Sequence, residues 1–380
     1  MPADVVLHEN SKRLKKLFAP FNPLFGDSGD PDRFLFKVHG IRKASLPTAM
    51  QNLPFIKKLI SCRSLSKFIR TSFYKDNFHS VSHLLSCLKH TRQRYDFLYW
   101  ISQNYPSLIP EKGTLSLVRK LRESHLSGKP IRLIVRKNED QDIFRILNLF
   151  VVWFKSYSKP GLNVMSVSPS LRTARENRDF FLELSDCSSH PSSLRFTKEE
   201  ISSTLHLPSL NSRFWFVPAS NPDSCRSRDF SILILHDTGL WKNTKAMPSH
   251  RIIPAAFPAV LPSADSVIIL ESGPCKRNSF FRKEWKAAEK KLSPFSPLTI
   301  PWHENPENIL KFDFPEERLK FHSLIMKFRN RKSFPHFPMV KGKVLYRLWE
   351  KGISLEAIYW YASESSFYKY PSQFLNRYPS

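Results

Sequence analysis

The sequence predicts an α/β fold, in which a mostly parallel sheet carries helices on both faces and has helical attachments at its N- and C-terminal sides. Short aliphatic runs recur between residues 131 and 301, and segments with helical spacing separate them. Near-continuous apolar runs are typical of parallel strands buried on both faces. The predicted strands are Ile131–Val135, Leu162–Val167, Arg213–Val217, Ser231–Leu235, Ser266–Leu270 and the extended piece Ser296–Pro301.

The helices between these strands have their own patterns. Asp142–Phe154 is long and apolar enough for a buried helix, which gives a strand-helix-strand unit with the first two runs. Pro169–Leu184 has apolar residues at helical spacing, and Phe280–Lys291 has the pattern of a charged amphipathic helix. We therefore expect the strands to lie side by side with helices on either flank.

Changes of composition along the chain divide it into four predicted parts. Residues 1–75 mix basic patches with turn formers and are predicted to be a basic, partly disordered N-terminal arm. Residues 76–129 form a helical N-terminal subdomain, residues 130–310 contain the sheet, and residues 311–380 form a helical C-terminal region.

The charge of the chain indicates an anionic partner. It has 59 Lys and Arg against 33 Asp and Glu, a formal net charge of +26. Such an excess favours nucleic acid, although an anionic membrane surface would attract the same charge. The five cysteines are scattered without the spacing of a metal site. No apolar run is long enough for a membrane span and the N-terminus has no secretory pattern, so we expect a cytoplasmic protein without membrane association.

Four segments occur in a fixed order within the predicted sheet region. One is a strand that ends in Ser-x-Pro and leads into a helix with two arginines, and the next is a Ser-Asn-Pro-Asp-Ser-x-Arg stretch followed by a strand ending His-Asp. A strand ending Glu-Ser-Gly-Pro follows, and then an aromatic helix with an Ile-Pro-Trp sequence. The segments are Leu162–Phe181, Phe216–Trp241, Val267–Pro274 and Phe281–Pro306.

In this order the segments resemble the ATPase domain of the phage large terminase family, the DNA-packaging motor. The resemblance implies a RecA-like P-loop NTPase-type domain over residues 130–310, ATP and Mg²⁺ as cofactors, and double-stranded DNA as the partner. It also implies the portal and the small terminase subunit as further partners, and the bacterial host cytoplasm as the location. Leu348–Trp360 and Phe374–Ser380 are similar to the linker before the family's nuclease domain, so we expect no nuclease domain in this chain.

The phosphate-binding loop of the family has no clear counterpart. Its place is the turn after the first predicted strand, Arg136–Phe144, which contains three acids and no glycine. A triphosphate needs successive backbone N–H groups in a glycine-rich turn, a lysine and a hydroxyl. Arg136 and Lys137 remain the candidate cofactor-binding residues there, with solvated loop charges as the alternative. Arg226, after the Ser-Asn-Pro motif, is a third candidate that could equally be a surface arginine.

The acidic pair that would bind Mg²⁺ and polarise water is also altered. The Walker B position reads His236-Asp237, and a neutral imidazole is a poor ligand for a hard cation, whereas Asp237 could still order a water. Ser272 keeps the hydroxyl of the family's coupling motif. Asp237, His236 and Ser272 are therefore the candidate catalytic residues. The alternatives are that the first two cap a buried strand end and that Ser272 is a turn serine.

Three functions follow from these patterns. The leading one is a degenerate packaging ATPase domain that retains DNA or partner binding. The first alternative is an active, divergent packaging ATPase that uses Arg136 or Lys137 together with Asp237. The second is a basic, non-enzymatic scaffold or membrane-surface protein. The first two functions require that the connection Val135–Ile143 lies beside His236 and Asp237.

Overall fold

The computed structural model of the chain describes residues 1–18, 48–62, 65–138, 143–186, 195–198, 204–225, 228–242, 251–260, 263–273, 275 and 278–366. Within these ranges eight strands form one mixed sheet with helices packed against it. The α/β class is confirmed, as is the mostly parallel arrangement. In the same ranges, no helix has the length and apolar character that crossing a membrane requires.

The sheet has the strand order β3-β4-β5-β2-β6-β7-β1-β8. The six strands from β5 to β8 in this order are parallel, whereas β3 and β4 pair antiparallel at one edge. Because β7 lies between β1 and β6, the carboxyl ends of these three strands are adjacent. The strands are β1 (Ile131–Arg136), β2 (Val164–Ser168), β3 (Thr197–Lys198), β4 (Thr204–Leu207), β5 (Ser212–Pro218), β6 (Ile232–Leu235), β7 (Val267–Ser272) and β8 (Ser296–Thr299).

Helices precede, separate and follow the strands. α9 connects β1 to β2, α10 follows β2, and α12 connects β7 to β8. The α-helices are α1 (Ala3–Leu17), α2 (Thr48–Gln51), α3 (Pro54–Cys62), α4 (Leu65–Ile69), α5 (Ser72–Asn77), α6 (Val81–Tyr95), α7 (Phe97–Asn104), α8 (Leu115–Leu126), α9 (Phe144–Ser156), α10 (Leu171–Asp186), α11 (Ile252–Ala256), α12 (Phe280–Glu289), α13 (Pro315–Lys327), α14 (Gly342–Glu350) and α15 (Leu355–Ser366).

The two faces of the sheet have separate apolar cores. Side chains alternate along each strand, so Leu133 and Val135 of β1 pack with α7 to α10 on one face. Ile134 points to the opposite face, where it packs with α11 and α12. Helices on both faces explain why the central strands are apolar at nearly every position, as predicted.

All six predicted strands are present, with ends shifted by at most two residues. The antiparallel strands β3 and β4 were not predicted, since both are short and polar residues interrupt their apolar pattern. The helix expected from Pro169 begins at Leu171 instead. The physical reason is a capping interaction, in which the Ser170 hydroxyl accepts a hydrogen bond from the Thr173 amide at 3.2 Å.

Residues 1–18 of the predicted N-terminal arm are described by the structure, whereas residues 19–47 lie outside the described ranges, so the arm stays a prediction. Ala3–Leu17 is a 15-residue helix, α1, whose Val6 lies in one apolar cluster with residues of α13, α14 and α15. Asn10 of α1 is fully buried and donates to both carboxylate oxygens of Glu356 in α15, at 3.1 and 2.9 Å. This long-range contact depends on tertiary packing, and so local composition could not predict it.

Helices α2 to α6 form a small separate core. Met50, Phe68 and Tyr74 pack there with Phe78 and Leu88, across the predicted division at residue 75. Helices α7 and α8 instead join the core of the sheet. The stretch between residues 48 and 129 thus contains a small helical cluster followed by two helices that cover the sheet.

Candidate functional site

The candidate site lies at the carboxyl edge of the sheet, where parallel α/β folds usually bind ligands. Lys137 follows β1, His236 and Asp237 follow β6, and Ser272 ends β7. The order β6-β7-β1 brings these four predicted residues together. Lys137, at the start of the Val135–Ile143 connection, therefore lies beside the His236-Asp237 pair, as expected.

Lys137 connects two carboxylates at this edge. Its ammonium Nζ lies 3.0 Å from Asp237 Oδ1 and 3.2 Å from Glu271 Oε2. The Glu271 side chain is only 1% exposed, whereas that of Asp237 is 29% exposed. The three charged groups therefore form one ion-pair cluster that runs from the interior of the sheet to its edge.

The protonation states follow from this geometry. Burial would lower the pKa of Lys137, but the charges of Glu271 and Asp237 outweigh burial and raise it. Burial would raise the pKa of Glu271, but Lys137 and His236 lower it overall. Burial and the neighbouring charge of Glu271 raise the pKa of Asp237 despite its contact with Lys137. Glu271 is thus the ionised partner of Lys137, and Asp237 is the carboxylate that takes up a proton first.

His236 lies inside the protein beside Glu271. Its Nδ1 is 3.3 Å from Glu271 Oε1, and its Nε2 has no hydrogen-bond partner among the described residues. A neutral imidazole in this position donates from Nδ1 to the carboxylate, which leaves Nε2 as the acceptor. The ring of Phe144, in the first turn of α9, lies 5.0 Å from the His236 ring. An aromatic pair therefore separates the start of α9 from the end of β6.

The turn after β6 is held against the end of β7. Asp237 has left-handed backbone angles, φ 44° and ψ 43°, and its amide donates to Glu271 Oε1 at 3.0 Å. The Gly239 amide donates to the Ser272 hydroxyl at 3.1 Å. A Cβ on Gly239 would lie 2.3 Å from the Cβ of Cys275, so the close approach of the two segments requires glycine. Ser272 thus anchors the turn that carries Asp237.

Arg136, another predicted residue, is not part of this cluster. Arg136 is the last residue of β1, and its guanidinium lies 5.9 Å from the ring of Trp285 in α12. Burial lowers its pKa. Adjacent strand residues point to opposite faces, which explains why Arg136 and Lys137 reach different surroundings. Arg226 lies outside the described residues, so its role stays a prediction.

The connection between β1 and α9 is the place where a P-loop would lie. Lys137, Asn138 and Ile143 are described, whereas residues 139–142 lie outside the described ranges. Ile143, at the N-cap of α9, makes no side-chain capping hydrogen bond, and Phe144 and Arg145 occupy the first turn of the helix. The described part of this connection thus contains a lysine that is paired with two acids. The aromatic ring of Phe144 follows at the start of α9.

Glu271 is the residue that sequence reasoning missed. It belongs to a strand with the sequence Val-Ile-Ile-Leu-Glu-Ser, in which it is the one charged residue. A single acid at the end of an otherwise apolar buried strand was the available signal, because a buried carboxylate needs a charged or hydrogen-bonding partner. Among the described residues, no group of three or more His, Cys, Asp and Glu is arranged to hold a metal ion.

Comparisons with known proteins give distant similarities only. No protein-family model matches the chain, and no curated protein matches it. The chain is similar to the large terminase of a thermophilic bacteriophage, with a TM-score of 0.39 and 11% identity over 56% of this chain and 50% of that one. It is similar to the HK97 bacteriophage large terminase, with a TM-score of 0.39 and 12% identity over 63% of this chain and 49% of that one. This chain spans about half the length of each, and such likenesses carry no argument about its activity.

Proposed function

We propose that this chain is a terminase-type protein related to viral DNA packaging, which binds DNA through phosphate contacts and in which an ion-pair cluster replaces the hydrolytic site. The observation that supports the loss of hydrolysis is the bridging of Asp237 and Glu271 by Lys137. This lysine lies just after β1, where a P-loop lysine would meet phosphate.

Binding a triphosphate would require Lys137 to leave its partners. Glu271 is 1% exposed, and removing the cation from a buried carboxylate typically costs about 3–5 kcal/mol. The two carboxylates would also repel the phosphates. His236 replaces a Mg²⁺-binding carboxylate with a nitrogen ligand that this cation disfavours. These three effects act in the same direction, against productive binding of Mg-ATP.

The proposed DNA contact is a basic surface between α13 and α14, which we name the basic loop face. The stretch from Lys327 to Trp349 has no Asp or Glu. All of its Lys and Arg side chains are exposed. They are Lys327, Arg329, Arg331, Lys332, Lys341, Lys343 and Arg347.

Aromatic packing gives the basic loop face a defined shape. Phe334 is 2% exposed, and its ring lies 5.8 Å from that of Phe321 and 6.1 Å from that of Phe328. A Cβ on Gly342 would lie 2.0 Å from the Phe328 carbonyl oxygen, so the start of α14 is pressed against the end of α13. This contact holds the cations around Lys327 close to those around Lys341. A fixed group of exposed cations suits a phosphate backbone.

DNA binding is tested by filter binding of duplex DNA at about 50 and 200 mM salt, where six or more phosphate contacts would lower the affinity on the order of a thousandfold. A variant with Arg329, Arg331 and Lys332 all changed to Gln should bind more weakly and with a shallower salt dependence. The matched control changes Lys57, Lys58 and Arg70 to Gln, which removes the same charge from the exposed surface of α3 and from the residue that follows α4. Binding that is undiminished at high salt would overturn binding through phosphate contacts, and no binding at either salt concentration would overturn DNA binding. Equal losses in both variants would overturn the assigned face.

The loss of hydrolysis is tested by calorimetry with Mg-ATP, for which we expect no binding at millimolar nucleotide. The second candidate function is an active divergent ATPase that would use Lys137, once released from its carboxylate partners, together with Asp237. Turnover that disappears in Asp237→Ala would replace our proposal with that function. Sedimentation with anionic vesicles tests the scaffold or membrane-surface alternative, and binding to vesicles in preference to DNA would favour it.

A further inference from the structure

A pocket lies on the opposite face of β1 from the Lys137 cluster. It has a volume of about 130 Å³, and its lining includes Arg136, Arg282, Lys286, Trp285, Glu289 and Gly273. Arg136 comes from the end of β1 and Gly273 from the segment after β7, while the other four belong to α12. The pocket thus lies where α12 crosses the carboxyl edge of the sheet.

We propose that this pocket binds a phosphate group through Arg136, Arg282, Lys286 and the indole N–H of Trp285. This site is separate from the basic loop face and from the Lys137 cluster, and it does not depend on the function proposed above. Its volume is far larger than the roughly 10–15 Å³ that a single water needs, and so accommodates a tetrahedral oxyanion.

The charges of the pocket favour an anion. Three cationic side chains line it against one carboxylate, that of Glu289. The Arg136 side chain is half-buried, and burial lowers its pKa, so an additional anion would compensate for lost hydration. Arginine presents several N–H donors in a planar fork that matches phosphate oxygens. Phosphate is therefore a better match than a neutral ligand.

Trp285 supplies an independent observation. Its side chain is 6% exposed, and its Nε1 has no hydrogen-bond partner among the described residues. A buried donor without an acceptor is energetically unfavourable. A phosphate oxygen is an acceptor of the kind this N–H lacks. The Arg136 guanidinium lies 5.9 Å from the indole ring, which places positive charge beside it.

The phosphate could belong to a free ion or to a nucleic acid, and the experiment separates these sources. Inorganic phosphate, pyrophosphate and a short single-stranded DNA are titrated separately into the full chain, and binding is followed by calorimetry. Binding of phosphate or pyrophosphate assigns the pocket to free phosphates. Binding of the oligonucleotide alone assigns it to a nucleic-acid backbone.

The test variant is Arg282→Gln with Lys286→Gln, and the matched control is Lys283→Gln with Lys290→Gln. Both pairs remove two positive charges from the region of α12, but neither control residue lines the pocket. We expect the test variant to weaken binding at least about tenfold, since hydrogen bonds to charged groups contribute roughly 1.5–3 kcal/mol each. We expect the control to remain close to the unmodified chain.

A variant of Trp285 provides a test without any change of charge. Trp285→Phe removes only the N–H and should lower the affinity by a smaller factor. No binding of any of the three probes, or equal losses in the test and control variants, would overturn the proposal.

Discussion

The ammonium of Lys137 lies 3.2 Å from the carboxylate of Glu271, and the two residues lie at the ends of neighbouring parallel strands of the sheet. Glu271 is almost completely withdrawn from water, so Lys137 is the main compensation for its charge. This relationship explains how a carboxylate can remain ionised at the end of a buried strand. It also makes the ion pair a determinant of stability as well as of ligand binding.

The first prediction concerns this pair. Lys137→Met should lower the free energy of unfolding by about 3–5 kcal/mol, because it leaves Glu271 buried without its cation. Adding Glu271→Gln should restore part of that loss, since the double variant has no buried charge at this position. Urea unfolding of the two single variants and the double variant measures the effect, with Lys129→Met as a surface control. Additive losses would show that the two residues do not interact.

The second prediction concerns acid sensitivity at His125, in α8. Burial lowers its pKa to about 4, below the ordinary value of 6.5. The unfolded chain therefore binds a proton between these values while the folded chain does not, so the free energy of unfolding falls as the pH drops from about 6.5 to 4. His125→Phe keeps a ring beside Trp153, 4.8 Å away in the native chain.

Between pH 7 and pH 5, His125→Phe should lose about 2 kcal/mol less stability than the unmodified chain. Urea unfolding at the two pH values measures this difference. His79→Phe serves as the control, because His79 is exposed. Equal pH dependence in all three proteins would contradict the prediction.

The third prediction concerns Lys155, in α9. Its side chain is fully buried and its Nζ has no hydrogen-bond partner among the described residues. Burial lowers its pKa to about 8 despite the attraction of Asp265. Below that pH the folded chain must hold an unpaired charge, so Lys155→Met should raise the free energy of unfolding at pH 7 by about 1–3 kcal/mol.

The extra stability of Lys155→Met should shrink as the pH rises from 8 towards 10.5. In this range the native lysine loses its proton in the folded chain but keeps it in the unfolded chain, which stabilises the folded native protein. Thermal unfolding at pH 7 and pH 9.5 tests both the gain in stability at the lower pH and its decrease at the higher pH. A variant that is less stable than the native chain at pH 7 would show that the ammonium has a stabilising partner.

The fourth prediction concerns the attachment of α1 to the C-terminal helices. Asn10→Ala removes two hydrogen bonds to Glu356 and the acceptor for the Leu355 amide, which lies 2.8 Å from Asn10 Oδ1. We expect α1 to become sensitive to limited proteolysis and stability to fall by about 2–3 kcal/mol, since buried polar groups lose their partners. Lys12→Ala, on the exposed face of α1, should change neither. Unaltered protease resistance in Asn10→Ala would contradict a role for this contact in holding α1.

The elements that the sequence predicted are those whose signal is local. Strands β1, β2, β6 and β7 were recognisable because a strand buried on both faces is apolar at nearly every position. β3 and β4 were not, because both are short and polar residues interrupt their apolar pattern. The docking of α1 was missed for another reason. Asn10 and Glu356 are far apart in the chain and meet only in the folded protein.

By itself, the sequence determined the α/β class, the strands of the central sheet and the identity of four residues at its carboxyl edge. Only the tertiary structure decided what those residues contact. Strand order is a property of the whole sheet, and the position of β7 between β1 and β6 is what brings Glu271 to Lys137. The pleat of β1 then turns Arg136 towards α12, and a partner on another strand or helix cannot be read from local sequence.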